Sequence, residues 1–181
     1  LGCSLGGATL AAVDRIDCQD YSAIAIDNST AMIDRLQTKL KSLPQFASKI
    51  ECRCEDLCDS EIADASVVVL NFTLQFIPLA ERVPLLRKIY AGMKPGGVLI
   101  ISEKIIFPDE KLNQLFIEMY HSFKENRGYS KLEISQKRTA LEKVLLPETL
   151  DLHRERLQKI GFQSGDVWFQ CFNFASLVAL K

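Results

Sequence analysis

The sequence predicts one α/β domain with a mostly parallel sheet, a helical insertion at 108–159 and a C-terminal antiparallel hairpin. Three observations carry this. From residue 8 to residue 102, short apolar runs alternate with segments of helical periodicity, as parallel strands joined by crossover helices require. From Pro108 to Lys159 the pattern changes to charged helices with no strand-like run. Beyond Gly161, Asp166–Gln170 leads into a stretch from Cys171 to Leu180 rich in Phe, Val and Leu. Two such runs close together suggest an antiparallel pair.

The elements follow in order. Glycines open the chain, and Ala8–Val13 reads as the first turns of a helix. Ala23-Ile24-Ala25-Ile26-Asp27 is a buried parallel strand ending in an acid. Asn28 or Ser29 is placed to cap the next helix, in which Met32, Ile33, Leu36, Leu40 and Leu43 recur at helical spacing until Pro44. Ile50–Cys54 is strand-like, Glu55–Asp64 is a polar loop, and Val67–Phe72 is the strongest strand signal. Leu85, Leu86, Ile89, Tyr90 and Met93 mark a helix with Pro84 expected near its start, where proline costs least. Lys94-Pro95-Gly96-Gly97 reads as a turn and Val98–Ser102 as a further buried strand. The helices of 108–159 are too short and charged to bury a core of their own, so they read as a cap on the sheet.

Composition narrows the function classes. The 181 residues are 48% hydrophobic and 25% charged, and 22 Lys and Arg face 23 Asp and Glu for a net charge of −1. At this size one domain buries roughly 70% of its unfolded surface. The charge balance argues against a broad basic surface for nucleic acid. No apolar run approaches the roughly 20 residues of a membrane-spanning helix, and no signal peptide is visible. The six cysteines, at 3, 18, 52, 54, 58 and 171, do not have the spacing of a disulfide scaffold. Cys52-x-Cys54-x3-Cys58 lacks the ligand complement of a zinc site, with His121 and His153 both distant in sequence. No metal is expected, and reduced thiols point to the cytoplasm.

Gly2-x-Ser4-x-Gly6 admits two readings. As a hydrolase nucleophile elbow it needs an acid and then a histidine, and His153 lies in a charged helical run that a solvated helix face explains equally well. As a nucleotide-binding loop, its glycines let the backbone approach a ligand. Asp27 then stands at the end of the second strand of the fold, where a carboxylate accepts from ribose hydroxyls. Helix capping by Asn28 or Ser29 is compatible with that role. A dinucleotide pyrophosphate calls for G-x-G-x-x-G, a spacing this loop lacks, whereas S-adenosylmethionine demands less of the loop. The loop, Asp27 and Asp56-Leu57 together match the class I methyltransferase layout, a Rossmann-like fold in which Asp56 accepts from the adenine amine and Leu57 packs on the ring. Taken alone, Glu55, Asp56 and Asp59 read as a solvated acidic loop.

A narrower resemblance extends over essentially the whole chain. Leu1-Gly2-Cys3-Ser4, Ile26-Asp27-Asn28-Ser29, Val69-Leu70-Asn71-Phe72-Thr73-Leu74-Gln75-Phe76, Glu133-Ile134-Ser135-Gln136-Lys137-Arg138 and Trp168-Phe169-Gln170-Cys171-Phe172-Asn173-Phe174 resemble the carboxy-S-adenosyl-L-methionine synthase family. The resemblance implies an enzyme that converts S-adenosylmethionine and prephenate to the carboxylated cofactor and phenylpyruvate, without direct nucleic-acid contact. The product would supply a second enzyme that makes 5-oxyacetyl uridine at the tRNA wobble position. It implies Gly2, Cys3 and Ser4 along the methionine moiety, Asp27 and Asn28 at the ribose, Asp56 and Leu57 at the adenine, and Asn71 beside the sulfonium. Arg138 is the catalytic residue it implies, a guanidinium paired with the new carboxylate, which a plain methyltransferase does not need. Prephenate would fragment to carbon dioxide, and its hydroxide would serve as base. A sulfonium ylide would then capture the carbon dioxide. Such chemistry calls for a closed pocket, with 108–159 as lid and as part of a homodimer contact.

Two departures accompany the resemblance. Ile77-Pro78-Leu79-Ala80 and Pro84 depart from the usual helix entry, and the family's N-terminal helical segment, with a Tyr that reaches the cofactor, is absent. The chain opens where the first strand of such a sheet should finish, so 1–181 is expected to be one cofactor-binding domain lacking that strand. An ordinary methyltransferase acting on a small molecule or tRNA, and a non-catalytic subunit of the same fold, are the alternatives. Replacing Arg138 by Ala should abolish carboxylated product and leave S-adenosylmethionine binding largely intact, as product assay and equilibrium dialysis would read. Product formation at the parent rate would remove Arg138 from this role.

Overall fold

In a computed structural model of the chain, residues 1–142 and 144–181 are described, the side chains of Lys137, Arg138 and Glu142 excepted. Helix α1 (Gly7–Val13) leads to β1 (Ala23–Asp27), α2 (Thr30–Lys41), the single turn α3 (Pro44–Ala47) and β2 (Ile50–Cys54). Then come β3 (Ala65–Asn71), a 3-10 turn at Leu74–Phe76, α4 (Leu79–Gly92) and β4 (Met93–Lys104). Helices α5 (Glu110–Asn126), α6 (Lys131–Glu142) and α7 (Leu150–Ile160) precede the hairpin β5 (Ser164–Cys171) and β6 (Phe174–Leu180).

Parallel β1 and β2 form one sheet, and the second has the order β3-β4-β6-β5. Within it β3 and β4 are parallel, while β6 is antiparallel to both β4 and β5. The first residues of the chain bridge the two sheets. The Leu1 amine donates to Val69 O of β3, and Cys3 N–H donates to Ile26 O of β1, both at 2.8 Å. The larger core lies under the four-stranded sheet, where Leu70, Leu99, Ile101 and Leu177 meet Leu85, Leu86 and Ile89 of α4. A smaller one joins Val13, Ala25, Leu36, Leu40 and Ile50 beneath the paired strands.

Three expectations are corrected. Pro84 lies inside α4, not near its start. The helix begins earlier because Arg82, 0% exposed, pins the entry: its Nε donates to Ile77 O at 3.0 Å, and Nη2 donates to Gln75 O at 3.3 Å and Leu146 O at 2.7 Å. Pro84 itself is exposed, where the carbonyl its ring deprives of a partner can face solvent. Lys94–Gly97 is not a separate turn but a bulge within β4, extruded where Ala65 pairs with Met93 and Val67 already pairs with Val98. Gly96, at φ 75°, supplies the left-handed residue this needs.

The third correction concerns 108–159. Its first helix, α5, buries no residue. Helix α7 instead belongs to the main core, with Leu157 1% exposed and packed beside Phe162, whose ring meets Tyr90 edge-on at 4.9 Å. The insertion therefore ends before α7. A buried ionic cluster marks the boundary: Glu148 pairs with Arg82 through one carboxylate oxygen and with Arg156 through the other.

His153 of α7 is 2% exposed beside this cluster. Burial, together with the Arg156 and Arg82 charges, pushes its imidazole down to about 4 from 6.5. Between those values the unfolded chain binds the proton and the folded one does not, so folding loses stability as pH falls from 6.5 to 4. The loss amounts to about 3 kcal/mol. His153→Gln should remove it, and urea midpoints should show the variant gaining about that much on the parent between neutral pH and pH 4. A difference that stays constant with pH would rule out this titration.

Candidate cofactor and reaction site

The site is built at the strand ends by three loops and by the helical insertion. The first loop carries Gly2, Cys3 and Ser4. Gly2 has φ 64°, and a Cβ there would lie 2.5 Å from the Thr73 side chain, so only glycine fits. Ser4 is itself left-handed at φ 49°. Its N–H donates to Asp27 Oδ2 at 2.8 Å, and Ser29 N–H donates to Asp27 Oδ1 at 2.9 Å. Asp27 thus fastens the glycine loop to the start of α2. Ser29 occupies the N-cap position without a side-chain bond of its own, so Asp27 caps in place of the residues expected to. Asn28 is exposed beside it.

The Cys3 thiol is pushed up to about 11, first by burial and then by the Asp27 charge. It stays protonated at neutral pH and adds no negative charge to the loop.

The second loop follows β2. Asp56 Oδ1 accepts from Cys58 N–H at 2.8 Å, and its carbonyl accepts from Ser60 N–H and Oγ, which closes a tight turn. Lys88 of α4 holds the far side, donating to Leu57 O at 2.9 Å and Cys58 O at 2.7 Å. The Leu57 side chain points into the main core at 6% exposure. That leaves little of the side chain at the surface to pack on a ring.

Sequence reasoning passed over Glu55. Its N–H donates to Asp27 O at 3.2 Å, and its Oε1 is buried without a hydrogen-bond partner among the described residues. Its place in an acidic run hid it.

The third loop leaves β3 at Asn71, which is exposed. Thr73 Oγ lies 3.1 Å from Leu1 O, to which it donates, so this loop abuts the glycine loop. Glu103 of β4 lies beneath at 1% exposure and accepts from the N–H groups of Thr73, Leu74 and Gln75 at 3.3, 2.9 and 3.0 Å. Burial raises its carboxyl to about 7 against the lowering effect of those bonds. An acid at the polar end of a strand gives no sequence signal for such a role.

The contacts above tie together the three loops that carry Gly2, Cys3, Ser4, Asp27, Asn28, Asp56, Leu57 and Asn71. Arg138 is carried by α6, and its side chain lies outside the described residues. A glycine cradle, pinned carboxylates and the orphan acceptor of Glu55 fit a nucleoside with a hydroxyl-rich ribose and no phosphate. No group of three or more His, Cys, Asp and Glu side chains suited to a metal occurs among the described residues. No helix among them is long and apolar enough to cross a membrane. Asp27→Asn leaves one acceptor oxygen where two are used. It should weaken S-adenosylmethionine binding by about ten- to a hundred-fold in equilibrium dialysis, and an affinity at the parent value would exclude Asp27 from the site.

Comparisons with known proteins bear on the fold and the family. A methyltransferase-domain family matches residues 1–97. Among solved structures, the S-adenosylmethionine-dependent methyltransferase SibL superposes with a TM-score of 0.69 at 10% identity, over 99% of this chain and 48% of its own. Human N-acetylserotonin methyltransferase, solved in complex with S-adenosylmethionine, gives 0.65 at 16% identity over 100% of this chain and 46% of its own. At these identities the likeness establishes the class I methyltransferase fold. Carboxy-S-adenosyl-L-methionine synthases of Trichlorobacter lovleyi, Aliivibrio fischeri and Geobacter metallireducens are 55%, 52% and 57% identical over all 181 residues, which span 74% of each. The chain belongs to the carboxy-S-adenosyl-L-methionine synthase family.

Proposed function

We propose that the protein converts S-adenosylmethionine and prephenate to carboxy-S-adenosylmethionine and phenylpyruvate, in the cytoplasm, for the modification of wobble uridine by a second enzyme. The observation that carries the reading is identity above half to synthases of that name across the whole chain. When bound, S-adenosylmethionine supplies a methyl carbon made acidic by the adjoining sulfonium. In the overall balance, the prephenate carboxyl leaves as carbon dioxide and joins that carbon. The hydroxide that prephenate loses takes the methyl proton and becomes water.

The chain's own work is binding, orientation and exclusion of water. Gly2 and Ser4 present backbone to the methionine part, Asp27 and Asn28 face the ribose, and Asp56 with the Leu57 backbone meets the adenine. Asn71 stands at the reacting end. Arg138, carried by α6, would supply a guanidinium suited to pairing with the new carboxylate. Because Cys3 keeps its proton, no thiolate near the sulfonium competes as a nucleophile.

Helices α5 and α6 form the lid, and their outer apolar residues support a homodimer. Leu115 is 51% exposed, Met119 45% and Leu132 66%, a patch that burial in a second subunit would relieve.

Mass spectrometry of the nucleoside that co-purifies with the protein tests the reaction. A nucleoside heavier than S-adenosylmethionine by one carbon dioxide is expected. S-adenosylhomocysteine alone would indicate an ordinary methyltransferase.

A further inference from the structure

Asn71 is followed by two residues with different surroundings. On one side, Thr73 reaches the glycine loop through Leu1 and fills the space beside Gly2. On the other, Phe72 opens a series of rings. Phe72 stands edge-on to Phe174, with centroids 5.8 Å apart and planes at 80°. Tyr120 of α5 lies 4.7 Å from Phe174 and 6.0 Å from Phe172. The glycine loop and an aromatic wall are therefore both reached within two residues of Asn71.

The backbone that builds this wall is strained. Four non-glycine residues have positive φ among those described, Ser4, Asp64, Phe72 and Phe172. One of the four is Phe72 of this series, at φ 56°, and another is Phe172, whose ring lies against Tyr120, at φ 51°. A strand end or a hairpin tip can take the left-handed region with glycine or asparagine at far lower cost. Strain at such positions points to a ring that must be where it is. Nor is the wall closed by packing, since the Phe72 ring is 42% exposed.

We propose that Phe72, Tyr120 and Phe174 form the binding wall for the six-membered ring of the co-substrate, beside the reacting methyl carbon. The inference rests on the reaction proposed above. In that reaction the ring enters as a cyclohexadiene and leaves as a benzene. Edge-on and offset contacts favour a flat aromatic ring, so the wall holds the ring best as it flattens, and it keeps water from the methyl carbon.

The test combines steady-state kinetics, with prephenate varied at saturating S-adenosylmethionine, and calorimetric titration of phenylpyruvate and S-adenosylmethionine. Phe72→Leu and Phe174→Leu should each raise the prephenate KM and the phenylpyruvate Kd about ten-fold. The S-adenosylmethionine Kd should stay within about two-fold. Phe72→Tyr, which restores a ring, should recover most of the affinity that Phe72→Leu loses. Two results overturn the wall: unchanged phenylpyruvate binding in both leucine variants, or a rise in S-adenosylmethionine Kd that matches the rise in prephenate KM. If the parent binds phenylpyruvate in this ring-dependent way but makes no carboxylated product, the proposed reaction fails and the wall stands.

Discussion

The chain must turn inside the protein at the end of β3, and the Glu103 carboxylate makes that possible. The peptide groups of Thr73, Leu74 and Gln75 are held away from water by the core on one side and the glycine loop on the other. Unpaired, each N–H would cost about 1–3 kcal/mol. Glu103 accepts from all three. Arg82 takes the carbonyls of Gln75 and Ile77, and Gln75 Oε1 accepts from Lys104 N–H at 2.9 Å. Around this fixed turn Asn71 meets the glycine loop, Phe72 meets the aromatic wall, and α4 finds its start.

The cofactor side follows the same economy. Asp27 ties two segments together with acceptor capacity left over, and Asp56 closes its own turn with one oxygen. Each carboxylate is oriented before a ligand arrives, which lowers the ordering cost of binding. Cys3 and Cys58 add little charge to this region, because burial holds both thiols above their ordinary range.

How much of this was legible in the sequence depends on whether a residue's role is local. Strands β1 and β3 are apolar runs and β2 alternates apolar with charged residues, and all three appear where the pattern puts them to within two residues. Pro84 misleads because the force that starts α4 earlier comes from Arg82, whose acceptors include Leu146, 64 residues away. Buried Arg82, Glu103 and Glu148 look like surface residues in any window of sequence, since only their distant partners make burial tolerable. Leu57 was legible as an apolar residue of the loop after β2, but the distant partners that draw its side chain into the core were not. Residues of the site carried by a motif, such as Gly2 and Asp27, were readable. Glu55 and Phe72, whose roles come from what they abut, were not.

The α5–α6 insertion leaves the sheet and returns to it at almost one point. Ile105 pairs with Glu148, and Ile106 N–H donates to Glu148 O at 3.2 Å. The ionic cluster then locks the returning strand of chain in place. A segment whose two ends are held a hydrogen bond apart is a detachable module. Its length and sequence can change while the ends stay closed, and lengthening such a loop adds little entropy cost. Evolution can thus exchange what stands beyond this edge of the sheet without reworking the loops that Asp27 and Glu103 hold in place.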